Sequence, residues 1–431
     1  MKKLNENFKF SRYENSFVWL ASAGVALPTY NVSAPSLPLL LNEKSSLFKL
    51  FLSDVGILTS LYGRATKLQL LSNNEDLNNG ALYENVVAQE LKDMEAQNVE
   101  AKNGRVDFEG DMNILARANL CSRYSERILI RMGEFKAITF EQLFQGVKKL
   151  PWEEWIGKFD EFPVKGYSLN SQLHSVSDCQ AIIKKAVVER LKEKYGINWF
   201  EESGSKHQIQ FSIMKDIVTV FIDTSGAGLH KRGYRPVANA APIKETLAAS
   251  MAELARLRHY HTLYDVCCGS GTILIEGAMK ALNIAPGLNR SFAAEQWGCW
   301  PSETWQHQRS ACLDEIRHDT TFVGYGSDID PEAVRLSIEN ANNAGVGSKL
   351  HFEQRNMKDF VFPEAEKKLI VLCNPPYGER LLDIKEAEEL YRALGKVLKM
   401  EEGRSFNIIS PHDEFESLFG RKADKRRKLY N

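Results

Sequence analysis

The sequence predicts an open α/β sheet of parallel strands, preceded by a smaller α+β domain and by a mixed α/β segment of different style. Three observations carry this. Leu369-Ile-Val-Leu-Cys373 is a continuous apolar run, the pattern of a strand buried on both faces, and Asn374-Pro375-Pro376-Tyr377 ends it at once. Leu263-Tyr-Asp-Val-Cys-Cys-Gly-Ser-Gly-Thr272 reads as a strand that turns tightly into a helix. Phe322-Val-Gly-Tyr-Gly-Ser-Asp328 repeats the strand one unit later, with an acidic residue at its end. Strands alternating with helices build a parallel sheet whose ligands sit beyond the carboxyl ends of the strands.

At 431 residues the chain is too long for one ordinary domain. Hydrophobic content of 43% and charged content of 26% are those of globular proteins. The formal net charge is -1, so affinity for nucleic acid must come from local patches. Seven cysteines lack paired metal-ligand spacing, which implies no metal site and reads as reduced thiols in a cytoplasmic protein. No apolar run reaches membrane-spanning length, and the first residues lack the apolar core of a signal peptide, so no membrane partner is expected.

The tetrapeptide carries the chemistry. Neither proline can donate to a sheet ladder, so the strand stops and Asn374 is presented at its carboxyl end. The Asn374 amide oxygen, with the Pro375 carbonyl, can accept both hydrogens of a planar exocyclic amine. That draws the nitrogen lone pair out of conjugation and makes it nucleophilic. Tyr377 offers a flat face to a flipped base. Pro-Pro alone is an ordinary strand-ending turn. Asn374, Pro375, Pro376 and Tyr377 together, directly after the apolar run, point to methylation of an amine. Guanine N2 and adenine N6 both remain open on these residues.

The glycine turn carries the cofactor. Gly269 and Gly271 allow a tight backbone turn, and Thr272 opens a helix whose positive end faces the same ligand. The third glycine of a dinucleotide pattern is absent, with Leu274 in its place, and no phosphate-loop lysine follows. An Asp-x-x-x-Gly-x-Gly loop of this kind, starting at Asp265 and passing through Cys267, suits S-adenosylmethionine, whose methionine end needs a backbone-lined pocket. Asp328, with Asp330 just beyond it, stands where an acidic side chain accepts from ribose hydroxyls. Further strands are expected at Leu350–Arg355 and Ser405–Ile409, with a helix over Glu386–Met400. The stretch from Asn289 to Asp319 carries Trp297, Trp300 and Trp305 and reads as an insertion packed by its aromatic residues.

Upstream, strands are expected at Val106–Phe108, Ile128–Met132, His207–Met214 and Asp216–Asp223, and helices at Ile114–Leu120, Phe140–Lys149 and Asp178–Tyr195. The last helix carries Lys184, Lys185, Lys192 and Lys194, partly offset by Glu189 and Glu193. A second basic cluster, Lys231, Arg232 and Arg235, surrounds Gly233. As solvated faces both are unremarkable; beside an RNA-modifying domain Lys184, Lys185, Lys231, Arg232 and Arg235 become phosphate contacts.

Val106 to Met214 resembles the THUMP RNA-binding region of bacterial ribosomal RNA guanine-N2 methyltransferases, preceded by part of a ferredoxin-like subdomain. The carrying residues are Asn103-Gly-Arg-Val-Asp-Phe-Glu-Gly-Asp111, Arg117-Ala-Asn-Leu120, Gly133-Glu-Phe-Lys-Ala-Ile-Thr139 and Ser177-Asp-Cys-Gln-Ala-Ile-Ile-Lys-Lys185. Together with the two loops above, they make the chain similar to THUMP-domain class I RNA methyltransferases. The resemblance implies a Rossmann-like catalytic domain over 216–431, a partial ferredoxin-like subdomain plus THUMP domain over 93–215, S-adenosylmethionine as cofactor, and RNA, 23S ribosomal RNA above all, as partner. It places the turn of Pro242, Lys244 and Glu245 against the methyl donor. Asn356 falls where many members carry an adenine-binding Asp, a departure from the pattern. Members also continue past Tyr430-Asn431 into a final strand, so the resemblance implies a catalytic domain clipped before that strand.

Residues 1–92 differ in wording. Lys49-Leu-Phe-Leu-Ser-Asp-Val-Gly-Ile-Leu58 and Gly80-Ala-Leu-Tyr-Glu-Asn-Val-Val-Ala-Gln-Glu-Leu91 resemble a C-terminal domain of predicted AAA-type ATPases, without a phosphate loop. This implies an unrelated fragment joined to the rest. Two other functions stay in view: adenine-N6 methylation of DNA, because the same tetrapeptide serves both amines, and a catalytically impaired RNA-binding fusion product.

Overall fold

The computed structural model describes residues 26–32, 43–52, 80–102, 104–235, 242–301, 303–363, 368–377 and 384–426. The chain divides into two compact units, residues 1–114 with 377–396 and 411–431, and residues 115–376 with 397–410.

In the first unit, β1 (Ala26–Val32) and β2 (Glu43–Leu52) form an antiparallel ribbon. Helix α1 (Gly80–Asp93) spans the Gly80–Leu91 stretch. β3 (Gln97–Lys102) then pairs antiparallel with β4 (Arg105–Glu109). β3 escaped the sequence reading because Gln97, Asn98, Glu100 and Lys102 are polar and only Val99 is buried. Residues 53–58 of the Lys49–Leu58 stretch, and Tyr430 and Asn431, lie outside the described residues.

Helix α2 (Met112–Cys121) leads into the second unit. There β5 (Leu129–Lys136), α3 (Phe140–Lys148), β6 (Val164–Leu169), α4 (Val176–Tyr195), β7 (Ile209–Met214) and β8 (Ile217–Asp223) build a sheet in the order β5-β8-β7-β6. β7 and β8 alternate strictly enough that Ile209, Phe211 and Ile213 share a buried row with Val218, Val220 and Ile222. Helices α3 and α4 pack together over Leu143, Val147, Ile183 and Val187. Thr139 caps α3 by accepting from the Gln142 N–H, and Gly196 ends α4 in the left-handed region at φ 65°. β6 was not anticipated. It is an edge strand with Gly166 at its centre and Tyr167 and Leu169 exposed, so no apolar run announces it.

The C-terminal part follows. α5 (Glu245–Leu254), β9 (Thr262–Asp265), α6 (Thr272–Ala281), α7 (Glu303–Asp314), β10 (Val323–Asp328), α8 (Pro331–Asn343), β11 (Leu350–Gln354), β12 (Leu369–Cys373) and β13 (Arg404–Ile408) belong here. Helices α9 (Ile384–Val397) and α10 (Phe415–Phe419) fall in the first unit, apart from Val397. All five strands run parallel in the order β11-β10-β9-β12-β13. Consecutive strands move outward from β9 on one side, then the chain crosses to β12 on the other. The crevice between β9 and β12 is therefore the topological switch point, where open α/β sheets bind ligands. Leu274, at the position of the missing third glycine, packs α6 onto β10: a Cβ on Gly326 would stand 2.6 Å from Leu274 Cδ1. Close helix–sheet packing is thus kept, with the small residue on the strand instead of the helix.

Candidate active site

β9 ends at Asp265, which is 1% exposed, and its neighbour β12 ends at Cys373, fully buried. The two strand ends lie side by side, because β9 and β12 pair in parallel through Leu369 with Thr262, Ile370 with Leu263 and Val371 with Tyr264. Asp265 Oδ1 also accepts from the Cys267 N–H at 3.1 Å, which starts the turn. Gly271 at φ 79°, like Gly269 before it at φ 53°, is in the left-handed region, and the Gly271 N–H closes the turn on the Cys268 carbonyl at 2.8 Å. α6 begins at Thr272, so its free backbone N–H groups point into the crevice.

Asp328, at the end of β10, locks this loop. Its Oδ2 accepts from the Gly269 N–H at 2.8 Å and its Oδ1 from the Asp330 N–H at 3.1 Å. From α8, Ser337 Oγ donates to the Gly269 carbonyl at 2.7 Å and Asn340 Nδ2 to the Ser270 carbonyl at 3.0 Å. Sequence reasoning missed both. Their only signal is two small polar residues three apart on the buried face of α8, where Ser337 is 0% and Asn340 1% exposed.

The turn before α5 is bolted to the same helix end. The helix starts at Glu245, because Lys244 is extended at ψ 141° and serves as N-cap. Pro242 and Lys244 are half-buried; Glu245 is buried. Arg235 pairs with Glu245 Oε1 at 2.9 Å and donates to Thr272 Oγ1 at 2.8 Å. Glu245 Oε2 is buried and has no hydrogen-bond partner among the described residues. Burial raises the Glu245 carboxyl to about 7, with Arg235 opposing and Glu276 adding to the shift. Burial likewise lifts Asp265 to about 7; the Cys267 N–H opposes this and the Asp328 charge reinforces it.

These residues fit S-adenosylmethionine. Asp265 and Glu245 are buried carboxyls flanking the loop, Glu245 already paired with Arg235, a backbone-lined turn takes the methionine end, and Asp328 stands half-exposed at the strand end for the ribose. Asp330 and Asn356, like Asp328, also hold local backbone. Asp330 caps α8 by accepting from the Glu332 N–H at 2.9 Å, and Asn356 Oδ1 accepts from the Lys358 N–H at 3.0 Å, leaving its Nδ2 as the group for a ligand.

On the other side of the crevice, Asn374 is half-buried directly after β12, and among the described residues its amide makes no hydrogen bond. Pro375 is buried and Pro376 half-buried. Tyr377, also half-buried, carries the chain into the first unit.

Two of the basic residues expected on the surface are corrected. Arg232 is 2% exposed and donates to the carbonyls of Leu229 at 2.8 Å, Ser122 at 3.3 Å and Arg123 at 2.5 Å, while facing Glu276 at 3.4 Å. Arg235 is spent on Glu245 and Thr272. A guanidinium has five donors, and both are used to staple loops. Lys184 pairs with Glu202 at 2.6 Å and lies 3.5 Å from the centre of the Phe162 ring. Lys185, Lys194 and Lys231 are exposed.

The matches to known proteins follow the same division. Residues 232–431 match the RMKL-like methyltransferase domain, 137–223 the THUMP domain and 83–129 the RlmL ferredoxin-like domain. The Bacillus subtilis protein named "Putative RNA methyltransferase YpsC" is 41% identical over 81% of this chain and 90% of its own length. The ribosomal RNA large subunit methyltransferase K/L of Psychromonas ingrahamii is 33% identical, and the chain spans 46% of it. A Listeria monocytogenes crystal structure, described as a predicted N6-adenine-specific DNA methylase, superposes with a TM-score of 0.77 at 43% identity, covering 80% of this chain and 91% of that one. SMU.472, solved in complex with SAH, superposes at 0.75 with 38% identity over 81% of this chain and 92% of its own. The chain belongs to the family of THUMP-domain-containing class I RNA methyltransferases, with S-adenosylmethionine as cofactor.

Proposed function

We propose that this chain methylates the N2 amine of a guanine in RNA, and that the RNA is large-subunit ribosomal RNA. One observation carries the reading: Asn374 stands half-buried at the end of β12, beside the β9 end that presents Asp265 and the glycine turn. Asn374 Oδ1 and the Pro375 carbonyl accept the two amine hydrogens, and the ring of Tyr377 stacks on the base. When bound, S-adenosylmethionine supplies an electrophilic methyl group. The residues supply position, which is worth most where reactants are held close to their attack geometry. The K/L relatives' names support ribosomal RNA, and the THUMP domain weighs against the DNA adenine reading that the Listeria protein's description suggests. The test is transfer of labelled methyl to unmodified ribosomal RNA followed by nucleoside analysis. Label in N2-methylguanosine is expected; label in N6-methyladenosine overturns the base assignment.

Tyr377→Ala is expected to weaken engagement of the flipped base by about 1–3 kcal/mol, the usual worth of one aromatic stack, and Tyr377→Phe to have little effect. Equal losses in the two variants would assign the role to the hydroxyl instead.

Cofactor affinity is expected to rise with pH. Asp265 and Glu245 both titrate near 7 in the free chain, above their ordinary values of 3.8 and 4.5. Below that range both are protonated and neutral. A cationic ligand favours their ionised forms, so binding releases protons and tightens as pH climbs through 7. The same shifts make the ligand-free fold lose stability from the ordinary carboxylate range upward, because the folded state holds these protons more tightly than the unfolded one. Calorimetric titration in two buffers of different ionisation heat measures the proton release directly. Affinity independent of pH would mean that neither carboxyl meets the cationic end.

A further inference from the structure

We propose that the segment between α6 and β10, residues 282–322, is a clamp that fixes the THUMP domain against the methyl-transfer domain, with Trp297 as its main positioning residue. The clamp's bearing on RNA rests on the function proposed above.

A connection from a helix to the next strand of such a sheet needs about 2–6 residues. This one is far longer and contains α7. Its aromatic residues are buried: Trp297 is 2%, Trp300 8%, Trp305 6% and Phe292 2% exposed. Phe292 stacks on Trp305 at 5.3 Å, and Trp300 lies 5.5 Å from Trp305, so the segment has a small core of its own.

From that core it reaches the upstream domains at separate points. Trp297 stacks on His207 of the THUMP domain, with ring centres 4.3 Å apart and planes 20° from parallel. Its Nε1 donates to the Lys206 carbonyl at 3.0 Å. The Ala294 N–H donates to the Thr224 carbonyl at 3.1 Å, and the Gly287 N–H to the Leu120 carbonyl at 2.8 Å. Arg290 donates to the carbonyls of Ser225, Ala227, Gly228 and Lys231, gathering the whole interdomain loop around one guanidinium. Burial lowers the Arg290 group to about 10, with the neighbouring Arg232 and Arg127 charges adding to it, so this side chain is held where a free arginine would not choose to be. At the far end Arg117 of α2 pairs with Glu315, and Cys121 Sγ lies 3.4 Å from Cys312 Sγ of α7.

Hydrogen bonds to backbone carbonyls fix orientation more than they add stability, because each replaces a bond to water. An RNA anchored on the THUMP domain presents its target base at a distance set by this joint, and small misplacements of a reacting group are costly.

The experiment compares the full chain with Trp297→Ala, Trp297→Phe and Arg117→Ala. In Trp297→Ala, amide exchange in residues 284–297 and 224–231 is expected to quicken about tenfold while β9 and β12 stay protected and S-adenosylmethionine affinity is unchanged. On long ribosomal RNA, kcat is expected to fall about tenfold with KM unchanged, and on an RNA oligonucleotide too short to reach the THUMP domain neither is expected to change. Trp297→Phe keeps the stack and restores most of the rate. Arg117→Ala, a surface change that leaves the aromatic core intact, gives the same pattern at smaller amplitude and decides the matter if Trp297→Ala does not fold. Unchanged exchange, equal rate losses on long and short RNA, or exchange that quickens in β9 and β12 as well would each overturn the clamp. Failure of the unmutated chain to methylate any RNA would sink the proposed function instead, and the exchange measurement would still judge the clamp.

Discussion

Asn374→Ala is expected to bind S-adenosylmethionine with unchanged affinity and to lose about a hundredfold or more in turnover. The side chain stands beyond β12, half-buried, with no hydrogen bond among the described residues. Nothing in the loop from Asp265 to Gly271 leans on it: that loop is held by Asp328, Ser337 and Asn340. Removing the amide therefore takes away the proposed acceptor of the substrate amine without loosening the cofactor turn. Loss of one preorganised polar group at a reacting centre typically costs about a hundredfold or more, and it appears in kcat where the interaction is made only as the amine becomes nucleophilic. Asn374→Asp retains an acceptor and is expected to fall between. The measurement is single-turnover methyl transfer alongside calorimetric cofactor binding. A full-rate Asn374→Ala protein would remove the tetrapeptide from the mechanism.

Gly271→Val is expected to abolish cofactor binding, and the structure changes what else it does. Gly271 holds φ 79°, where a β-branched residue is strongly strained. A Cβ there would stand 3.1 Å from both Cβ and Oγ of Ser337 and 3.3 Å from Phe352 Cε1. Ser337 is the residue that holds the Gly269 carbonyl, so the substitution pushes on the hinge of the loop. Strain of this kind costs on the order of 1–3 kcal/mol. The variant should thus lose both affinity and some stability, whereas Ser337→Ala, which deletes the contact without adding bulk, should weaken the cofactor with a smaller loss. Thermal melts with and without S-adenosylmethionine separate the two effects. Wild-type affinity in Gly271→Val would refute the assignment of this loop.

Much of the site was legible because its signals are local. Two prolines stop β12 wherever the strand lies, and glycines at 269 and 271 declare backbone angles that other residues avoid. Apolar runs announce buried parallel strands, so β9, β10 and β12 appeared close to where the sequence placed them. Edge elements were harder. β3 and β6 bury little of their surface, and with little burial there is little pattern to read.

What the sequence by itself determined is the set of local signals: the tetrapeptide for which amine binding is proposed and a glycine turn flanked by acidic residues, each encoded in a few adjacent residues. Only the tertiary structure decided which charges are free to meet a ligand. Arg232 and Arg235 read as phosphate contacts on the page of letters, yet one is sunk among carbonyls and the other is paired with Glu245. The tertiary structure also brought Ser337 and Asn340 to the loop from far along the chain, and turned an aromatic insertion into a joint between domains. The physical reason is the same in each case. A guanidinium, a hydroxyl or an indole has the same donors whether it faces water or a buried carbonyl, and which it faces is settled by long-range packing that no local pattern records.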